Sequence, residues 1–159
     1  MGVLRANGFL RKLTSDFIFI ELGASDKKPE DLVSDVRKNI ESGGMDISDL
    51  AKSEYISLSA EAYKKAVELS GKGRRASLEA ACKLENPARV GDKISYFISD
   101  AELKKGADWK RAFPVEMYDK NTLPYDAKYY LKKLDDWCEK FADFLPKNIS
   151  ASAQPEFDF

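Results

Sequence analysis

Gly91-Asp92-Lys93-Ile94-Ser95-Tyr96-Phe97-Ile98 and, about thirty residues later, Pro124-Tyr125-Asp126-Ala127-Lys128-Tyr129-Tyr130-Leu131 decide how this chain is read. In the first stretch, glycine and aspartate make a tight turn. Ile94, Tyr96 and Ile98 then alternate with Ser95, Phe97 and Ser99, the pattern of a half-buried strand. In the second, Asp126 can cap an amphipathic helix over about 126–145. Its apolar residues Tyr130, Leu134, Trp137, Phe141 and Phe144 step by four, three, four and three, so they form one stripe that faces a core or a neighbour.

Working outward, residues 9–22 read as strand material, because Phe17-Ile18-Phe19-Ile20 is a short run of β-formers. Pro29-Glu30-Asp31 opens a helix, with proline and acids where the free N–H groups and the dipole favour them. Leu32, Val33, Val36 and Ile40 share its inner face, and Gly43-Gly44 ends it. Residues 45–58 read as extended. Ser59 caps a helix that runs to about Leu69, a second short helix covers about 76–84, and 100–123 is a polar, irregular connection holding Trp109, Phe113 and Met117. The expected fold class is α+β, mainly α-helical, with a short β element and a long last helix.

The 159 residues suffice for one domain with a core. No apolar run approaches the roughly 20 residues of a membrane span, and no signal peptide opens the chain. Cys82 and Cys138 read as buried thiols, which points to a reducing, cytoplasmic setting. The chain has no histidine, which removes the commonest general base and the usual zinc ligand. Acid pairs such as Asp135-Asp136 read as a solvated helix face rather than a catalytic carboxylate site.

In order and spacing, several segments resemble the thumb subdomain of family B DNA polymerases, over about residues 29–145. They are the helix 30–42 with Gly44-Met45-Asp46-Ile47-Ser48-Asp49-Leu50, then Ile56-Ser57 and Tyr63, then Ser77-Leu78-Glu79-Ala80-Ala81-Cys82-Lys83-Leu84, and the two stretches quoted above. Two departures stand out: Glu54 where that family often has lysine, and Ser77 where it has histidine. The resemblance implies a piece of a polymerase that holds primer–template duplex DNA near the site of synthesis. It implies that the chain itself carries no catalytic residues, since the metal-binding aspartates and their Mg2+ belong to a palm domain whose segments do not occur in this sequence. The rest of the polymerase is then a partner, and a bacterial version would be nucleoid-associated. Residues 1–28 would be a strand-like leader or the end of the palm, and 146–159 a flexible tail.

Such a piece must hold DNA without reading sequence, so its contacts go to phosphates. The candidate DNA-binding residues are Lys64, Lys65, Lys72, Arg74, Arg75, Lys83, Arg89 and Lys93. They lie within 61–93, where eight basic residues stand against five acidic ones although the whole chain has net charge -1. Gly71 and Gly73, in the glycine-rich loop between two helices that carries Lys72, Arg74 and Arg75, allow close backbone approach to a phosphate. Arg74-Arg75-Ala76-Ser77 also resembles a basophilic kinase site, although Ser77 reads equally as a first-turn helix residue. Lys104, Lys105, Lys110 and Arg111 around Trp109 read as a solvated connection.

In the tail, Gln154, Phe157 and Phe159 resemble the bacterial sliding-clamp binding peptide, a glutamine with apolar residues three and five positions on. The alternative function is a protein-interaction module that grips a clamp or another polymerase subunit and hardly touches DNA; the near-neutral net charge favours it.

Overall fold

The structure is a computed structural model that describes residues 8–70, 75–86, 88–102 and 111–144. Internal contacts divide the chain into two units, one built from residues before 46 and after 126, the other from Asp46–Asp126. The fold is α+β and mainly helical.

The described part of the first unit holds α1 (Gly8–Glu21), α2 (Pro29–Ser42) and α6 (Ala127–Lys140). Residues 9–22 are therefore helix, not strand. Phe9, Leu13 and Phe17 recur every four residues and are buried, while Ile18 and Phe19 of the apolar run are about half exposed. Burial of that stripe overrides the β-preference of the run. Phe17 meets the Trp137 ring edge-on at 5.7 Å, and Phe9 meets Tyr130 at 6.4 Å. The Trp137 indole N–H donates to the Thr14 hydroxyl at 2.8 Å, which donates in turn to the Leu10 carbonyl at 2.8 Å. On α2, proline stands in the first turn as expected. Gly43, at φ 78°, closes the helix with its N–H on the Ile40 carbonyl, and the Gly44 N–H reaches that of Asn39. Arg37 of α2 pairs with Asp135 of α6 at 2.9 Å. The α6 stripe is buried at Tyr130, Leu134 and Trp137, joined by Cys138. The α-helix stops at Lys140, short of the expected 145, and a single 3-10 turn follows at Ala142–Phe144.

The second unit holds α3 (Ile47–Leu50), β1 (Lys52–Tyr55), α4 (Ala60–Ser70), α5 (Ala76–Ala81), β2 (Lys93–Ile98) and β3 (Ala112–Pro114). The strands form one antiparallel sheet in the order β1-β2-β3. Residues 45–58 are thus only partly extended: Asp46 caps the one-turn α3 through the Ser48 N–H at 2.9 Å. β2 is buried on both faces at its C-terminal end, so Phe97, expected on the outer face, is 0% exposed and lies against Phe113 and Tyr118. A central strand covered on both sides loses the alternation of a half-buried one. β3 lies inside the stretch expected to be irregular. Helix α5 packs on β2 and β3 and is buried from Ser77 to Ala81. Ser77 is 3% exposed, which shields it from a kinase in this fold. Ser59 caps α4 by accepting the Ala62 N–H at 3.1 Å, as expected. The Asp126 carboxylate takes the Ala101 N–H at 2.9 Å and so fixes the chain just before α6.

No helix among the described residues is long and apolar enough to cross a membrane.

Candidate nucleic-acid interface

The end of the sheet where β1 finishes and β2 begins gathers three of the expected cations. Tyr55, the last residue of β1, pairs with Lys93, the first of β2. Beyond that pair, the Ile56 N–H bonds the Asp92 carbonyl at 2.7 Å, and the Gly91 N–H bonds the Ile56 carbonyl at 2.9 Å. The turn Arg89–Asp92 closes on itself. The Asp92 N–H reaches the Arg89 carbonyl, and the Asp92 carboxylate accepts the Arg89 N–H at 2.8 Å. Gly91 at its third position has φ 95°, a conformation that favours glycine. The Gly91–Ile98 stretch therefore begins in a turn that presents Arg89, with Lys93 just after it, both exposed.

Arg75 comes to the same end from the start of α5. Its N–H donates to the Tyr63 hydroxyl at 2.8 Å, and that hydroxyl lies 3.4 Å from the Arg75 carbonyl. Tyr63 is 1% exposed, so a buried phenol from α4 clamps the Arg75 backbone on both of its polar groups. The side chain then reaches Ser57, donating to Oγ at 3.2 Å, and approaches Glu54 on β1 at 3.7 Å. Glu54 also accepts the Tyr96 phenol, a diagonal contact between β1 and β2.

Lys64 and Lys65 are exposed on α4. Lys83 is placed differently. Its ammonium donates to the Ala112 carbonyl at 2.7 Å, lies 3.5 Å from the Glu79 carbonyl, and sits 4.4 Å from the centre of the Phe113 ring. That environment ties its ammonium to β3. Lys72 and Arg74 lie outside the described residues, as do Lys104, Lys105, Trp109 and Lys110 and the tail residues Gln154, Phe157 and Phe159.

Two contributors escape a reading of the sequence. Glu54 counts there only as a missing cation, yet it lies 3.7 Å from the Arg75 guanidinium. Arg111, grouped with a solvated stretch, instead pairs with Glu79 beneath the sheet at 2.6 Å. Nothing local marks either, because their partners are 21 and 32 positions away.

A groove of about 840 Å³ lies beside the turn, lined among others by Lys83, Lys93, Asp92, Glu85, Glu116 and Met117. Acids outnumber lysines in it, so it is no phosphate cradle. Among the described residues, no three His, Cys, Asp or Glu side chains are grouped to hold a metal ion.

No family model and no curated protein matches the chain. The fold is similar to that of a solved structure, the family B DNA polymerase from the hyperthermophilic archaeon Pyrobaculum calidifontis, with a TM-score of 0.59 and 18% sequence identity. The likeness covers 89% of this chain and 18% of the archaeal one, so the chain spans under a fifth of that protein's length.

Proposed function

We propose that this chain is a thumb-like domain of a family B DNA polymerase, which holds primer–template duplex through its phosphates. The fold likeness over 89% of the chain carries the reading, and the ordered motifs of the sequence agree with it. Arg75, Arg89 and Lys93 form the core of the grip, with Lys64 and Lys65 on the neighbouring helix and Lys72 and Arg74 adjacent in sequence. Lys83 is left out of the grip because its ammonium is engaged by the Ala112 carbonyl. None of these groups reads bases, so binding is independent of sequence and sensitive to salt. The aspartates and Mg2+ of synthesis reside in a palm carried by the rest of the polymerase, and this chain supplies position rather than chemistry.

The test is titration of a fluorescent primer–template duplex at low and moderate salt, with the wild-type chain and with Arg75→Ala/Arg89→Ala/Lys93→Ala. The wild type should bind weakly, and its affinity should fall with salt. For every phosphate left without its cation, the slope of log affinity against log salt should flatten by about 0.9. A wild-type chain that ignores duplex at low salt overturns the reading. The tail offers a separate test: Gln154→Ala/Phe157→Ala/Phe159→Ala should abolish capture by a purified sliding clamp and leave duplex binding unchanged.

A further inference from the structure

Arg75 does not stand free. Its guanidinium is about half exposed and 3.7 Å from a Glu54 oxygen, while the other carboxylate oxygen of Glu54 takes the phenol proton of Tyr96. Tyr96 is 6% exposed on the central strand, and β1 is in register with that strand through all four of its residues. Tyr63 fixes the Arg75 backbone from the other side. Both partners of the ion pair are thus anchored, and the carboxylate cannot swing aside without giving up the Tyr96 contact.

We infer that Glu54 is a fixed counter-anion that weakens the grip of Arg75 on duplex phosphate. This rests on the proposed thumb reading. A phosphate arriving at the exposed edge of the guanidinium meets a second anion already on the same fork, and like charges at that range repel. The phosphate must share the guanidinium with Glu54 or displace it from a held position. Glu54 acts through Arg75, so it is a positioning residue that sets affinity.

The experiment is a double-mutant cycle on duplex affinity at low salt, using the wild type, Glu54→Gln, Arg75→Ala and the double variant, each checked for folding by thermal melting. Gln keeps the shape of the side chain and removes its charge. Glu54→Gln should tighten binding about 2- to 5-fold, the range of a partly exposed ion pair, and the gain should vanish in the Arg75→Ala background. Tyr96→Phe releases the carboxylate without removing it and should tighten binding by less. Equal tightening in both backgrounds would show a general charge effect and overturn the inference, as would no change or a weakening in Glu54→Gln. If the wild type binds duplex and the cycle shows no coupling, only this inference fails. If the wild type does not bind, the thumb reading fails with it.

Discussion

Arg111 donates to the Glu79 carboxylate at 2.6 Å, and the Glu79 side chain is wholly shut off from solvent. A charge in that position is tolerable only with its partner in place. Replacing Arg111 by Met should therefore destabilise the protein by about 3–5 kcal/mol, because it takes a cation away from a buried carboxylate. Arg111→Met/Glu79→Leu should recover most of that deficit. Urea midpoints followed by far-UV circular dichroism give both values, and a double variant no better than the single would show that the pair is not the cause.

The Thr14 hydroxyl links Trp137 to Leu10 by accepting from the indole and donating to the carbonyl. Thr14→Val keeps the shape and leaves the buried indole N–H without its acceptor, at an expected cost of about 1–3 kcal/mol. Thr14→Ser keeps the relay and should cost less. The same denaturation measurement ranks them, and a Thr14→Val variant as stable as the wild type would show that the relay contributes nothing.

Gly91 has open space where a Cβ would stand, so only backbone strain opposes a side chain there. Gly91→Ala should cost about 1–2 kcal/mol from its φ of 95° alone. It should also weaken duplex binding, because Arg89 and Lys93 flank the turn. Unchanged stability would mean that the turn relaxes to a negative φ.

Burial pushes the Cys138 thiol up to about 11, against the opposing pull of Arg37, and burial also raises that of Cys82. At pH 8 a thiol reagent should modify the half-buried Cys82 first and leave Cys138 protected until the protein is unfolded. A group that holds its proton more tightly when folded stabilises the fold below its unfolded value near 9, and that contribution fades as pH rises towards about 11. Cys138→Ala should lack that part of the alkaline decline, which urea midpoints at pH 8 and 10.5 would reveal.

Elements with a strong local signal are legible in the sequence. Pro29, Gly43, Ser59 and Gly91 stand where the structure uses them, because capping and turn chemistry depend on neighbours a few positions away. Helix α1 misleads for a definable reason. The four-residue steps of Phe9, Leu13 and Phe17 are present in the sequence, yet the apolar run beside them outweighs the period, and the contacts with Trp137 and Tyr130 show which pattern is buried. Strand β3 has three residues, one of them proline, and no alternation of its own; its pairing with β2 defines it. At the candidate interface, the turn with Arg89 and Lys93 is legible. The roles of Glu54 and Lys83 depend on β1, β2 and β3 coming together, and no spacing rule carries that.

Residues 46–126 form one unit without a break, while the other unit needs segments from both sides of them. This sets an order of assembly during synthesis. The continuous unit can close as soon as its last residue leaves the ribosome, but Phe9 and Phe17 of α1 lack Tyr130 and Trp137 until α6 is made. A ribosome stalled after residue 126 would thus expose a nascent chain with a folded sheet and an α1 that still lacks α6, the species on which a chaperone would act.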